Sequence, residues 1–202
     1  MTSIAIYMEG GGLSNNGRAA LRQGMDAFLG ELKQAARNRH WGWKLACVGS
    51  RNDAFRAFRR ATQLGDAGVV ILLVDAEQPV RDAPRAHLGD HDAWEMGFAE
   101  ENSVHLMVQT MEAWLVADGD ALAHYYGQGF RGNALPATPD LESVSKREIE
   151  KALQTATRAT TKGRYAKIRH ASQLLQRIKP ERVRERCASC GRLLDFLRVT
   201  LA

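Results

Sequence analysis

The sequence predicts an α/β fold in which a mostly parallel sheet is flanked by helices. Short apolar runs alternate with longer segments whose apolar residues recur at helical spacing. The run at 68–74 (GVVILLV) is continuously apolar and rich in β-branched residues, which is typical of a strand buried on both faces of a parallel sheet. Because strands and helices alternate, we expect right-handed βαβ units. The 202 residues are enough to bury a proper core.

The individual elements can be placed in order along the chain. The apolar run 3–8 stops at Glu9 and three glycines, which predicts a first strand that ends in a tight turn. Helical spacing over 17–39 predicts one amphipathic helix. The further elements predicted before residue 140 are a strand at 43–48, a helix at 53–64, the strand at 68–74, a loop at 78–92, a strand at 104–109 and a helix that begins near Glu112.

A change of composition divides the chain near Pro136 and Pro139. Residues 146–202 contain 15 Lys or Arg and 5 Asp or Glu, against 13 and 18 in the first 145 residues. We therefore predict an α/β domain at 1–140 and a basic helical C-terminal subdomain at 141–202. The elements predicted in that subdomain are a helix from a capping box at Ser145 and Glu148 to about residue 156, an irregular segment at 158–170, and helices at 170–178 and 180–200.

Composition excludes several classes of protein. Apolar residues make up 45% and charged residues 25% of the chain, as in soluble globular proteins. The longest apolar run is far shorter than the roughly 20 residues of a transmembrane helix. The first apolar run follows no basic segment and meets Glu9 early, and three cysteines are an odd number. We expect a cytoplasmic protein with no membrane partner and no disulfide framework.

Acidic residues follow the predicted strands at the carboxyl edge of the sheet, where ligands collect in open α/β sheets. Glu9 ends the first strand, and Asp75 and Glu77 follow the third at i and i+2, a spacing that points both carboxylates to one side. Carboxylates gathered in this way favour a hard cation such as Mg²⁺ or Mn²⁺. The alternative is that each acid only caps a turn or a helix. For Glu112, in a first helical turn, both interpretations stay open.

Other residues near this edge are candidates for supporting roles. Gly10 and Gly11 could face a phosphate with their backbone amides, although a plain turn explains them equally well. Arg51 follows the second strand and could clamp a phosphate. His87 is a candidate proton shuttle or phosphate contact. A zinc site at His87 is disfavoured because Gly89 argues against the helix that it would need.

Cations alternate with an aromatic residue in the irregular segment of the C-terminal part. This composition is typical of a nucleic-acid contact, in which stacking and phosphate pairing combine. The alternative is a solvated surface. The candidate nucleic-acid-binding residues are Arg51, Lys162, Arg164, Lys167, Arg169 and His170.

The acidic pattern resembles the Toprim domain, the metal-dependent module of topoisomerases, primases and OLD-type nucleases. Toprim domains carry Glu-Gly at the end of the first strand, here IYMEGGG, and Asp-x-Asp at the end of the third, here LLVDAEQP with Glu77 in place of the second Asp. Nearly the whole chain is similar to the small stand-alone Toprim-like proteins of unknown function that are often encoded beside ABC-type or OLD-type ATPases in bacterial defence loci. Further segments that carry this resemblance are GSRNDAF, HLMVQTMEAWLVAD, HYYGQGFRGNALP and KGRYAKIRHASQLL.

The resemblance implies a Toprim-like (Rossmann-like) sheet and a metal-dependent nuclease that hydrolyses DNA or RNA in anti-phage defence. Glu9, Asp75 and Glu77 would be the catalytic residues and the ligands of Mg²⁺ or Mn²⁺, with Glu112 and His87 as auxiliary residues. The sequence contains no GxxxxGK[ST] motif, so any dependence on ATP would require an ABC-type or OLD-type partner ATPase.

Two further interpretations stay open. The first is a non-catalytic Toprim-like subunit that binds nucleic acid or the partner ATPase, and the second is a ribonuclease that acts on structured RNA. The sequence leaves the oligomeric state open as well.

Overall fold

The computed structural model describes residues 2–12, 14–65 and 67–202, and it confirms the predicted α/β class. Within these ranges, one sheet contains four strands, all parallel, in the order β2-β1-β3-β4. The strands are β1 (Ser3–Met8), β2 (Gly42–Cys47), β3 (Val69–Asp75) and β4 (Val104–Met107). Each lies within two residues of its predicted position. A parallel sheet of this kind, flanked by helices, is consistent with a Rossmann-like fold.

The helices follow the strands in the alternation that the sequence indicates. Before β4 the described residues form α1 (Asn15–Phe28), α2 (Gly30–Asn38), α3 (Arg51–Leu64) and α4 (Pro84–Asp92). After β4 they form α5 (Met111–Ala117), α6 (Gly119–Tyr126), α7 (Lys146–Thr157), α8 (Lys167–Leu175), α9 (Pro180–Arg184) and α10 (Ala188–Thr200). Short 3₁₀ helices lie at Glu101–Ser103 and Gly132–Ala134.

The two faces of the sheet bury two separate apolar cores. Successive side chains of a strand point to opposite faces, so Ile4 and Ile6 of β1 enter the larger core, whereas Ala5 and Tyr7 enter the smaller one. The smaller core packs against α3 and the segment that leads into β4. The larger core joins α1 and α2 to α5 and the C-terminal helices. The basic C-terminal part therefore shares its core with the sheet.

Helices α1 and α8 pack closely within the larger core. A Cβ atom at Gly24 of α1 would lie 2.6 Å from the backbone oxygen of Ser172 in α8, so the contact needs glycine at that position. This contact holds the first turn of α8 beside the carboxyl edge of the sheet.

The register of the sheet brings the ends of β1 and β3 together. Met8 pairs with Leu73, and Asp75 pairs with Met107 of β4. Glu9 directly follows Met8, so it leaves the sheet at the same edge as Asp75. Because β1 and β3 are the two central strands, the ends of both have a neighbouring strand on each side.

Several predicted elements differ from the structure, among them the helix predicted over 180–200, which is the two helices α9 and α10. The helix predicted over 17–39 is two helices separated at Leu29. The segment predicted as a loop contains α4, in which Gly89 is an ordinary helical position. Helix α8 begins at Lys167 rather than at residue 170. The capping box of Ser145 and Glu148 is confirmed at the start of α7.

No helix in the described parts of the chain combines the length and the apolar character that crossing a bilayer requires.

Candidate active site

Glu9 and Asp75 meet at the carboxyl ends of β1 and β3. Glu9 Oε1 accepts a hydrogen bond from the backbone N–H of Asp75, with an N···O distance of 2.5 Å. Asp75 is only 3% exposed, and burial raises the pKa of its carboxyl group. Burial and the neighbouring Asp75 charge raise the pKa of Glu9 to about 7. Two acids that the sequence assigns to one edge therefore share one buried site.

Glu112 adds a third carboxylate from the first turn of α5. It is 1% exposed and accepts hydrogen bonds from the hydroxyls of Thr110 at 2.6 Å and Tyr165 at 2.9 Å. Burial acts to raise the pKa of Glu112, but the positive charge of Lys167 and these hydrogen bonds hold it below its usual value. Glu112 is therefore an anion in the described structure.

Asp75 and Glu112 are linked by a cation and a hydroxyl. The Lys167 ammonium lies 3.2 Å from Asp75 Oδ2 and 3.1 Å from Glu112 Oε2. The backbone N–H of Met111 donates to Asp75 Oδ1 at 2.7 Å, and Thr110 Oγ1 lies 3.3 Å from Asp75 Oδ2. Burial acts to lower the pKa of Lys167, but the two carboxylates raise it above its usual value. The sequence indicates Lys167 only as a nucleic-acid contact, and the structure places it inside the acidic centre.

Arg51, the first residue of α3, holds the other side of the centre. Its guanidinium makes two hydrogen bonds of 2.7 Å to the carboxylate of Asp92 at the end of α4. It also lies 3.3 Å from Glu9 Oε1 and donates to the carbonyl oxygen of Asp75. Burial acts to lower the pKa of Arg51, but its hydrogen bonds to Asp92 and the charge of Glu9 raise it. Arg51 therefore stays a cation at the sheet edge.

Glu77 is bound by a different partner. Both of its carboxylate oxygens accept hydrogen bonds from the ammonium of Lys146, at 2.8 and 2.7 Å. Its φ of 65° shows that the chain has left the strand conformation, so the i, i+2 alternation no longer relates Glu77 to Asp75. Within the described residues, no group of three or more His, Cys, Asp or Glu side chains is arranged to hold a metal ion.

In the glycine turn after β1, the backbone amide of Gly10 does not have the predicted role of facing a phosphate. Gly10 and Gly11 have φ angles of 114° and 82°, which favour glycine. The amide of Gly10 donates to the carbonyl oxygen of Gly49 at 2.8 Å. In this arrangement the Gly10 amide is therefore used within the protein and does not face a phosphate.

His87 supports the segment between Asp75 and Glu77. Its Nε2 donates to the carbonyl oxygen of Ala76 at 2.9 Å, and its ring stacks on that of His91 with centroids 5.8 Å apart. The two histidines lie on one face of α4, so the prediction that Gly89 prevents a helix here is wrong.

The basic segment divides into exposed and buried residues. Lys162, Arg164 and Arg169 are exposed. His170 is 1% exposed, and its Nδ1 accepts a hydrogen bond from the backbone N–H of Ala166 at 3.2 Å. Burial lowers the pKa of His170, so it is a neutral structural residue here and does not face nucleic acid in this arrangement.

The chemistry of the donor set suits Mg²⁺ or Mn²⁺, which prefer carboxylate oxygens. Glu9, Asp75 and Glu112 supply such oxygens at one buried edge, where their negative charge requires compensation. Lys167 and Arg51 supply this compensation in the described structure. A divalent cation would compete with Lys167 for the same oxygens.

Fold and site together define an α/β protein with a buried carboxylate and lysine centre at the carboxyl edge of a parallel sheet. Residues 8–198 match the family model described as "Domain of unknown function (DUF4276)". The chain therefore belongs to this family. No curated protein and no solved structure matches the chain.

Proposed function

We propose that the protein is a metal-dependent nuclease that hydrolyses phosphodiester bonds in DNA or RNA. The observation that carries this proposal is the convergence of the half-buried Glu9 and the buried Asp75 carboxylate at the ends of adjacent parallel strands, with the buried Glu112 beside them. Glu9 and Asp75 would hold Mg²⁺ or Mn²⁺, with Glu112 as an auxiliary ligand. A bound divalent cation supplies Lewis-acid stabilisation of the phosphate and activation of water.

Residues of the chain support the same chemistry. Glu9 lies at the sheet edge beside Asp75, where a carboxylate could accept a proton from the attacking water. The Lys167 side chain is 42% exposed, so a phosphate could approach it, although its ammonium is paired with Asp75 and Glu112 in the described structure. Lys162, Arg164 and Arg169 are exposed cations that can track a nucleic-acid backbone. Contacts to phosphate carry no base identity, so the proposal includes both DNA and RNA.

A second candidate function is favoured by the ion pairs of the site. Glu9 pairs with Arg51, Asp75 with Lys167 and Glu77 with Lys146. A centre whose carboxylates are already paired with cationic side chains is compatible with a non-catalytic subunit that binds nucleic acid or an ATPase. The partner ATPase, the anti-phage role and the cytoplasmic location stay predictions from the sequence.

The decisive experiment is a cleavage assay on supercoiled plasmid and total tRNA with Mn²⁺. We expect cleavage of at least one polymer by the wild type and a loss of 100-fold or more in Glu9→Gln and Asp75→Asn. Glu31→Gln, an exposed acid on α2, is the matched control and keeps full activity.

Calorimetric titration with Mn²⁺ separates the two candidate functions. A nuclease binds Mn²⁺ through Glu9 and Asp75, and both variants weaken that binding. Absence of both cleavage and Mn²⁺ binding in the wild type would overturn the nuclease proposal in favour of the binding subunit.

A further inference from the structure

A cavity of about 300 Å³ lies beside the carboxylate centre. One wall is the glycine turn after β1, and the opposite wall is the first turn of α8, including Ile168 and Ala171. Leu21 of α1 and Met111 of α5 contribute further apolar surface. Its volume is at the lower end of the roughly 300–1,000 Å³ range of small-molecule sites.

The cavity and the centre share two residues. Lys167 lines the cavity, and its ammonium contacts Asp75 and Glu112. Met111 also lines it, and its backbone N–H donates to Asp75. A ligand in the cavity would therefore contact the Lys167 side chain, whose ammonium also contacts Asp75 and Glu112.

The cavity stays open because the residues of the turn after β1 are glycines, which have no side chains. A Cβ atom at Gly10 would lie 2.6 Å from Leu21 Cδ2, and one at Gly12 would lie 3.1 Å from Ile168 Cδ1. Leu21 and Ile168 both line the cavity, so these added atoms would point at its walls. Gly12 has a φ of 65°, which disfavours other residues there.

Ile168 is an unusual surface residue. Its exposed fraction is 67%, although it is a large apolar side chain next to a cation and an apolar cavity. Ligand sites combine apolar surface with a few polar groups that fix orientation. Among the described residues that line this cavity, only Lys167 and Ser172 have polar side chains.

We propose that this cavity binds one nucleobase of the phosphodiester substrate, with the attached phosphate at Lys167. A nucleotide is the substrate unit that joins a flat ring with apolar faces to an anion, and the cavity presents apolar walls next to a cation. Because apolar contact does not distinguish the bases and hydrogen-bonding side chains are few among the lining residues described, we expect weak preference among the bases. The inference rests on the proposed nuclease function and names the part of the substrate that the site holds.

The test measures nucleotide binding by calorimetry in EDTA, without any metal. AMP is compared with ribose 5-phosphate, which has the same phosphate but no base. We expect AMP to bind the wild type at least about tenfold more tightly, a difference of about 1.4 kcal/mol. Equal binding of the two compounds would overturn the inference.

Two substitutions in α8 test whether AMP binds in the cavity. Ala171→Leu fills the cavity, and Ile168→Ala removes apolar surface from an exposed position that tolerates change. Both should reduce the preference for AMP over ribose 5-phosphate, Ala171→Leu to about twofold. Gln173→Leu places the same new side chain on an exposed position of α8 and should leave the preference unchanged. An unchanged preference in both cavity variants contradicts the inference.

A single-stranded oligonucleotide that contains 2-aminopurine distinguishes a polymer from a free nucleotide. We expect its fluorescence to change on binding to the wild type and not to Ala171→Leu. Binding of AMP without such a change would assign the cavity to a free nucleotide and overturn the inference. These measurements need no cleavage, so the two proposals can fail separately. If cleavage depends on Glu9 but the protein shows no preference for AMP, only the inference about the cavity is overturned. If the protein prefers AMP but shows no cleavage that depends on Glu9, only the nuclease proposal is overturned.

Discussion

The hydroxyl of Tyr165 donates a hydrogen bond to Glu112 Oε1 at 2.9 Å, between residues 53 positions apart in the chain. Tyr165 is 8% exposed and Glu112 is 1% exposed, so the bond is shielded from water. It ties the segment before α8 to the start of α5. Two residues later, Lys167 enters the same centre. The C-terminal part therefore supplies both a hydroxyl and a cation to the edge of the sheet.

Removal of this hydroxyl tests its contribution to stability. Tyr165→Phe leaves Glu112 Oε1 without its hydrogen-bond donor, and we expect the free energy of unfolding to fall by about 1.5–3 kcal/mol. Urea denaturation measures the change. Tyr125→Phe is the control, because the Tyr125 hydroxyl has no hydrogen-bond partner among the described residues. Equal effects of the two substitutions would contradict the prediction.

Lys167→Met tests whether this lysine compensates the negative charge of the Asp75 and Glu112 carboxylates. Without divalent cations, we expect a loss of about 1–3 kcal/mol, less than for a fully buried pair because Lys167 is 42% exposed. Added Mn²⁺ should raise the Tm of this variant more than that of the wild type, because the carboxylates are freed for the metal. Lys162→Met removes an exposed cation of the same segment that lies over the Tyr125 ring; it should cost less stability, about 0.5–1 kcal/mol, and leave the response to Mn²⁺ unchanged. An identical Mn²⁺ response in the wild type and Lys167→Met would refute competition for the site.

The raised pKa of Glu9 predicts a pH dependence of stability. Between about pH 4.5 and 7 the folded protein holds a proton on Glu9 that the unfolded chain releases, so this group destabilises the fold as pH rises. The stability of the wild type relative to Glu9→Gln should therefore decline over this window, by at most about 3 kcal/mol, and level off above pH 7. Chemical denaturation in EDTA across this range measures the difference. Parallel curves for the two proteins would show that Glu9 has no raised pKa.

Arg51→Lys tests the bidentate hydrogen-bonded pair of Arg51 with Asp92. Lysine keeps the charge but lacks the planar fork that makes two parallel hydrogen bonds. We expect a loss of about 1–3 kcal/mol in the free energy of unfolding. Arg56→Lys changes an exposed pair with Asp53, for which little effect is expected. Thermal unfolding of both variants checks the prediction, which fails if Arg51→Lys is as stable as the control.

Much of the fold could be predicted because local patterns determine it. Buried strands such as β3 are continuous apolar runs, and the two acids that follow β1 and β3 lie at one edge by the geometry of parallel sheets. The helix break at Leu29 was missed because apolar spacing continues across it. Helix α4 was missed because its residues are mostly polar and include Gly89, whereas its N-terminus is set by Pro84.

The partners of the acids could not be read from local patterns. Lys167 lies 92 residues from Asp75 in the chain, and Asp92 lies 41 residues from Arg51. Contacts of this kind depend on how α8 and α4 pack, and one sequence carries no signal for that packing. Tyr165 belongs to a segment predicted to be irregular, and an aromatic residue among cations indicates base stacking as readily as a buried hydrogen bond.

The two walls of the cavity differ in their freedom to change during evolution. Residues other than glycine are strained in the turn after β1, because φ is positive at Gly10, Gly11 and Gly12. The opposite wall, at Ile168 and Ala171, lies on regular helix where many residues are tolerated. Within the family, sequence divergence around this cavity should therefore accumulate on one helical face, while the turn across from it stays nearly constant.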